Sequence, residues 1–194
     1  MSTTVMTMMS GPRWRVRIVL DEDARNPNHE YDQLAHVVTT DDDRGRYLPI
    51  SDETGPLGWV WDRVKDSAHS GEVFERYARM FHGAVCVEDT QCPGSSGIWY
   101  VTGEKIARDD LTHGEVVEDI ESQIEVYRKW AAGEVYECVV EKLTTWVAVD
   151  PDVEPSTKLD WVEVERVGNL YGIETAEEAA RSELDHYARS GVAA

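Results

Sequence analysis

Acidic side chains outnumber basic ones two to one in this chain, and this imbalance sets the first condition on any fold. The 194 residues include 38 Asp and Glu against 19 Lys and Arg, which gives a formal charge of −19. Such a charge opposes compaction through self-repulsion, so a folded state needs a large apolar core. Hydrophobic residues make up 41% of the chain, with seven Trp and eight Tyr, and aromatic side chains bury large areas. The composition therefore indicates a globular protein and not a disordered one.

The charge also excludes two classes of direct partner. Nucleic acids and anionic membrane surfaces both require a basic footprint. The one basic surface that the sequence predicts is formed by the arginines that alternate along Trp14–Leu20. These arginines can equally pair with acidic neighbours. No apolar run approaches the roughly 18 residues that span a bilayer, and residues 1–12 lack the regions of a signal peptide. Residues 1–12 are therefore expected to form a disordered tail, and a cytoplasmic location with reduced cysteines is expected.

Hydrophobic periodicity predicts a mixed order of strands and helices. Alternating apolar and polar residues over Trp14–Leu20 are typical of a strand. Apolar residues at helical spacing between residues 114 and 133 predict the clearest helix, and two strand-like runs within residues 134–167 predict a hairpin. A last helix is expected to begin near Thr175, an N-cap residue followed three positions later by Glu. We therefore expect one α+β domain over residues 13–190, with one mostly antiparallel sheet and about three to four helices packed on it.

The acidic residues are concentrated in two stretches. Residues 21–43 contain eight acids and one base, and residues 104–141 contain eleven acids and four bases. Helix side chains three or four residues apart lie about 5–6 Å from each other, a spacing that can imitate part of the phosphate pattern along DNA. Two alternatives stay open: a solvated helix face without a partner, and acidity that reflects the composition of the host's proteins. The predicted acidic surface, which would engage a basic host protein, consists of Asp41, Asp42, Asp43, Glu115, Glu118, Asp119, Glu121 and Glu125.

Histidine and cysteine residues form a second set of candidates. His82, Cys86 and Cys92 follow an H-x3-C-x5-C spacing, and zinc prefers such ligands, but the tight C-x2-4-C pairs of structural zinc sites are missing. Cys92 lies in a loop rich in Gly, Pro and Ser, where an exposed thiol can act as a nucleophile if His69 or His82 activates it. The alternatives are a plain turn at Cys92 and a core position for Cys86. We therefore take His69 and Cys92 as candidate catalytic residues, predict no resident metal, and keep zinc as the alternative cofactor.

Five segments follow one another in a recognisable order. They are DEDARNPNHEYDQLAHVVT at residues 21–39, HSG at 69–71, CPGSSGIWYVTGEKI at 92–106, YRKWAAGEVYECVVE at 127–141 and VGNLYGIE at 167–174. In this order they resemble a widespread family of small uncharacterised proteins encoded by phages, plasmids and other mobile elements. The Cys-Pro segment of that family usually continues Trp-Asp-Ser-Gly, whereas this chain continues Gly-Ser-Ser-Gly.

The resemblance implies a phage or mobile-element origin and an accessory role, and it implies no known reaction. Together with the charge, it leads to the hypothesis of a protein that acts by binding and not by catalysis. Its acidic, DNA-mimic-like surface would inhibit a host defence protein or a nucleic-acid-handling protein. One alternative is a small Cys/His-dependent enzyme, or a zinc- or ligand-binding protein, that uses His69, His82 and Cys92. A structural or virion-associated role also stays open.

Overall fold

A computed structural model describes residues 3–10, 13–27, 34–39, 54–90, 97–147 and 157–190. Seven strands and five α-helices lie in these ranges. The strands are β1 (Thr4–Ser10), β2 (Trp14–Leu20), β3 (His36–Thr39), β4 (Val85–Asp89), β5 (Gly97–Val101), β6 (Val135–Val147) and β7 (Thr157–Tyr171). The helices are α1 (Gly58–Val64), α2 (Ser70–His82), α3 (Gly103–Arg108), α4 (His113–Ala131) and α5 (Ile173–Ser190), and a 3-10 turn (Gly55–Leu57) precedes α1.

The chain forms two compact units, of which the first joins Met1–Ala24 to Gly133–Ala194. Its antiparallel sheet has the strand order β1-β2-β6-β7, and β6 and β7 form the expected hairpin. Alternate residues of β2 and β6 are apolar, so one face of the sheet is apolar, and α5 packs on that face. The buried core of this unit consists of Val16, Ile18, Cys138, Val140, Ala176, Ala180 and Leu184.

The second unit comprises Arg25–Ala132 and contains an antiparallel sheet of order β3-β5-β4. Every residue of the central strand β5 is buried, because helices cover both faces of the sheet. Trp99 and Val101 face α4 in one apolar cluster, whereas Ile98 and Tyr100 face α1 and α2 in another. The alternation of side chains along a strand therefore separates two cores within this unit.

The α+β class is confirmed, and three details of the expectation differ. The described ranges form two sheets instead of one, because β6 pairs with β2 and not with the strands of the middle segment. The described residues contain five α-helices where three to four were expected. Residues 4–10 form β1 and not a disordered tail, since they pair along β2 and place Met6 and Met8 against the core. The expectation of a single domain over residues 13–190 stays a prediction, and within the chain the two compact units are those given above.

Among the described residues, no helix is both long enough and apolar enough to cross a membrane.

Candidate functional site

Helix α4 carries the described part of the predicted acidic surface, and local interactions explain where it begins. The Thr112 hydroxyl accepts a hydrogen bond from the Glu115 backbone N–H at 3.3 Å, and the Glu115 carboxylate accepts one from the Thr112 N–H at 2.8 Å. This reciprocal capping box satisfies two N–H groups that the first turn leaves without partners. The buried stripe of α4 is Val116, Ile120, Ile124, Tyr127 and Ala131. The acidic residues therefore lie on the sides of α4 that this stripe leaves to solvent.

Three of the five acids on α4 have local structural roles. The capping box uses Glu115, and hydrogen bonds from the Thr112 side chain and backbone hold the pKa of that carboxyl below its ordinary value. Asp119 accepts a hydrogen bond from Gln123, whose own carbonyl accepts one from the Ala35 N–H at 3.3 Å. Asp119 thus orients the side chain that holds the segment leading into β3.

Glu125 pairs with Lys129 one turn further along α4, with the ammonium nitrogen 2.7 Å from the carboxylate. The hydrogen bond from this lysine, together with its charge, lowers the pKa of Glu125. Glu118 and Glu121 remain. Both are exposed, and within the described parts of the chain neither makes an ion pair or a side-chain hydrogen bond.

Asp41, Asp42 and Asp43 lie outside the described residues, so their place on the predicted acidic surface stays a prediction. The structure thus assigns separate roles to residues that the spacing alone groups together. Glu118 and Glu121 are the part of the predicted acidic surface that is exposed and has no local ion pair among the described residues. These two carboxylates are therefore available to bind a partner.

The structure separates the two candidate histidines. His69 directly precedes α2 and His82 is its last residue. Since a helix rises about 1.5 Å per residue, the ends of this 13-residue helix lie roughly 20 Å apart. The His69 side chain is 73% exposed and lies 3.9 Å from Glu72, whereas the His82 ring packs beside Tyr77. Cys92 lies outside the described residues, and its catalytic role stays a prediction.

The two described cysteines are buried in separate cores. Burial raises the pKa of the Cys86 thiol to about 11, partly opposed by the charge of Arg79. Burial also raises the pKa of Cys138 to about 11, and the thiol lies 3.3 Å from the carbonyl oxygen of Ala176, to which it donates. Neutral thiols are poor nucleophiles and poor metal ligands, so both residues act as small apolar core residues. In the ranges that the structure describes, no group of three or more His, Cys, Asp or Glu is placed to bind a metal ion.

The arginines of β2 are not a free basic surface. Arg15 and Arg17 lie on the sheet face opposite α5, and both donate to Glu141 of β6, with Nε–Oε2 distances of 2.6 and 3.0 Å. Arg15 also stacks on the ring of Trp161, 4.4 Å from its centre. Burial by itself would raise the pKa of Glu141, but the hydrogen bonds and charges of Arg17 and Arg15 outweigh it, so the pKa is lowered. Arg15 and Arg17 therefore pair with an acidic neighbour on β6, as the alternative reading of the sequence allowed.

Sequence reasoning missed a small polar cleft in the second unit. Its volume is about 220 Å³. His36 of β3 lies against the backbone of Gly55, where a Cβ atom would fall 2.2 Å from the imidazole Cγ. Gly55 has a φ of +63°, so a glycine is required for both reasons. The cleft is lined by Leu34, His36, Pro56, Thr102, Glu104, Lys105 and Arg108.

The charges of this cleft are largely compensated. The Lys105 ammonium lies 2.5 Å from an Asp109 carboxylate oxygen, and Arg108 Nε lies 3.2 Å from the other oxygen. Burial, followed by the charge of Lys105, lowers the pKa of His36, so its imidazole is neutral near pH 7. A neutral imidazole can donate one hydrogen bond from its N–H and accept one at its other ring nitrogen. The sequence signal near the cleft is the Gly-Pro pair at residues 55 and 56, which is typical of a turn.

Comparison with protein-family models, with curated proteins and with solved structures finds no match to this chain. The resemblance to phage and mobile-element proteins therefore stays a prediction.

Proposed function

We propose that this protein is a cytoplasmic accessory protein of a phage or mobile element that acts by binding a basic host protein. The binding surface is the exposed face of α4 around Glu118 and Glu121. In this proposal the carboxylates occupy a site where the partner otherwise holds nucleic acid, and the partner is thereby inhibited.

One observation carries the proposal: Glu118 and Glu121 are exposed acids with no counter-ion among the described residues. Their neighbours on the same helix either cap it, orient another side chain or pair with Lys129. Like charges three residues apart cost a helix a few tenths of a kcal/mol, and no local contact offsets that cost here. A basic partner would offset it, and the net charge of −19 would steer such a partner toward the chain.

The experiment compares immobilised wild-type protein with the double variant Glu118→Gln/Glu121→Gln. Each is exposed to lysate of the organism that carries the gene, and bound proteins are eluted with duplex DNA or with salt. We expect the wild type to retain a basic protein that DNA displaces. The double variant should bind it about 2- to 30-fold more weakly, because exposed ion pairs contribute about 0.2–1 kcal/mol each.

The matched control is Glu174→Gln/Glu178→Gln, which removes the same charge from two exposed positions of α5. This control should retain the partner at nearly wild-type strength. Equal loss in both double variants would show that only total charge matters and would contradict a site on α4. Retention that is indifferent to salt between about 0.01 and 0.15 M would contradict the electrostatic mechanism, since the Debye length falls from about 30 to about 8 Å over that range.

A further inference from the structure

Helices α1 and α2 present an exposed apolar surface that is buried in neither core of the second unit. We call it the aromatic patch and define it by Trp59, Val73, Tyr77, Met80 and Phe81. The exposed fractions are 49% for Trp59, 45% for Val73, 66% for Met80 and 68% for Phe81. Isolated exposed apolar residues are ordinary, whereas a contiguous group of this kind marks an interaction surface.

Contacts between the side chains show that the patch is contiguous. The Tyr77 ring centre lies 6.0 Å from that of Trp59 and 4.9 Å from that of Phe81. On α2, Val73, Tyr77 and Met80 follow one another at spacings of four and three residues, which places them along one side of the helix. These three residues lie beside Phe74 and Ala78, which are fully buried on the inner side of α2. The apolar surface of α2 is therefore wider than its own core needs.

The charge around the patch differs from that of the rest of the chain. Residues 58–82 contain four acids and four bases and have no net charge, although the whole chain carries −19. A second copy of the chain is therefore repelled less over this segment than over the acid-rich segments. The local neutrality makes the aromatic patch a surface through which two like-charged copies can meet.

The charged residues beside Val73, Tyr77 and Met80 complement each other. Glu72 and Arg76 are exposed and lie one turn apart on the same edge of α2. They do not pair with each other: the one ion pair of Glu72 within the described ranges is the 3.9 Å contact with His69, and Arg76 has none there. When two copies of a helix pack antiparallel about a two-fold axis, the same edge of each helix meets. Glu72 of one copy then faces Arg76 of the other, twice per dimer.

We propose that the aromatic patch is a homodimer interface in which α2 packs antiparallel on α2 of a second copy. Two reciprocal pairs between Glu72 and Arg76 set the orientation and place the two-fold axis near position 74, so Val73 and Tyr77 lie nearest the axis and Met80 and Phe81 lie toward the ends of the interface. This surface is distinct from the α4 surface of the proposed function. Failure of one proposal would leave the other unaffected.

The first measurement is sedimentation equilibrium over a hundredfold range of protein concentration, which displaces a dimer equilibrium by mass action. The expected result is a reversible monomer–dimer equilibrium that tightens when NaCl is raised from about 0.01 to about 0.1 M. Screening over this range shortens the Debye length from about 30 to about 10 Å and removes the repulsion between the acidic bodies. A protein that stays monomeric throughout overturns the proposal, including the case in which the patch binds some other protein.

The second measurement uses charge reversal. In Glu72→Arg and in Arg76→Glu each attractive pair across the two-fold axis becomes a repulsive one, so each variant should dimerise at least about tenfold more weakly. Mixing the two variants restores both attractive pairs, and the mixture should form heterodimers of near wild-type strength. The double variant Glu72→Arg/Arg76→Glu should likewise regain self-association. Wild-type dimerisation in either single variant, or failure of the mixture to associate, overturns the antiparallel arrangement.

The apolar part of the interface is tested with matched truncations of exposed residues, which leave the buried cores intact. Met80→Ala and Phe81→Ala should weaken dimerisation, whereas Leu159→Ala and Trp146→Ala should not. These control residues, 62% and 55% exposed, lie on β7 and β6. Circular dichroism confirms that each variant is folded before it is compared. Equal weakening in the control pair overturns the assignment of the interface to α2.

Discussion

Asp89, at the end of β4, is a fully buried carboxylate, and Arg128 in the last turn of α4 compensates it. The relative exposure of Asp89 is 0%, and the Nε atom of Arg128 donates to its Oδ1 at 3.1 Å. A buried charge that loses its partner is strongly destabilising, because no water replaces the lost interaction. At the scale of single residues, Arg128 therefore compensates a buried charge, whereas its neighbour Lys129 pairs with the exposed carboxylate of Glu125.

We predict that Arg128→Ala lowers the free energy of unfolding by about 3–5 kcal/mol, since it removes the arginine that pairs with the buried Asp89 carboxylate. The matched variant Lys129→Ala should cost less than about 1 kcal/mol, as is usual for an exposed pair. Urea unfolding followed by circular dichroism measures both. Similar costs for the two variants would show that Asp89 does not depend on Arg128.

His36 gives a prediction about pH. Its pKa in the folded state lies below the ordinary value of 6.5 because of burial and then because of Lys105. The unfolded chain therefore binds more protons than the folded chain between the two pKa values, and stability rises with pH through that window. As pH falls below 6.5, the folded state should lose stability, and the loss should be smaller in His36→Gln.

The titration can be followed at the residue itself by the NMR shift of the His36 ring protons. Replacing Lys105 with Met should move the His36 pKa upward, because a positive neighbour is removed. A matched replacement of Lys65, an exposed lysine paired with Asp62 on α1, should leave it unchanged. A His36 pKa above 6.5 in the wild type would contradict the buried environment described here.

At the scale of elements, the two longest helices begin in different ways. Helix α4 begins at a threonine capping box, as its sequence allows. Helix α5 begins before Thr175, since the Ala176 N–H already donates to the Gly172 carbonyl at 3.2 Å. Thr175 therefore lies inside the first turn, and the expected helix start at that residue was wrong.

Because the two helices begin differently, a Thr→Ala substitution at each start should have a different effect on the free energy of unfolding. Thr112→Ala removes a cap and should lower the free energy of unfolding by about 1 kcal/mol. Thr175→Ala should be neutral or stabilise by a few tenths of a kcal/mol, because Ala has the higher helix propensity. Urea unfolding compares the two variants directly. A clear loss of stability in Thr175→Ala would restore its role as a cap.

Glu141 links two strands of the larger sheet through Arg15 and Arg17. Because its folded pKa is depressed below its ordinary value of 4.5, the ionised carboxylate stabilises the fold above that value. This contribution is lost as pH falls through the lowered folded pKa. We predict that Glu141→Gln lowers stability at pH 7 by about 1.5–3 kcal/mol, the range for hydrogen bonds to charged groups.

Near pH 3 the stability difference between Glu141→Gln and the wild type should shrink, because the wild-type carboxyl then approaches neutrality. Acid titrations of both proteins, with unfolding measured at each pH, check this. Glu163→Gln, at an exposed acid that pairs with Arg166 on β7, serves as control and should cost less than about 1 kcal/mol. A constant difference down to pH 3 would contradict the coupling of Glu141 to the two arginines.

At the scale of the whole molecule, the net charge of −19 acts on folding itself. Self-repulsion is greatest at low ionic strength, and salt screens it. The free energy of unfolding should therefore rise between about 0.01 and 0.15 M NaCl, as the Debye length shortens from about 30 to about 8 Å. Choline chloride should give the same increase if screening is the cause. A fall in stability with salt would show that local ion pairs outweigh the global repulsion.

Periodic segments of the chain were predictable because local physics determines them. Alternation identified β2, helical spacing identified α4, and the run from residue 134 to residue 167 identified the hairpin. Strand β1 was missed because its Met-rich sequence has no strong preference, and its pairing with β2 stabilises it. The cleft at His36 was missed because Gly55, Tyr100 and Lys105 come together only in the folded chain.

The sequence by itself determined the α+β class and the excess of acids, since both follow from composition and from patterns within short segments. Tertiary structure decided which charges are free. Arg15 and Glu141 are 126 residues apart in the chain, yet they form a hydrogen bond across two strands, and His69 and His82 stand at opposite ends of one helix. Contacts of this kind depend on how distant strands pair and how helices cover them. Spacing along the chain reports which side chains share an element, but only the packing of elements sets their partners.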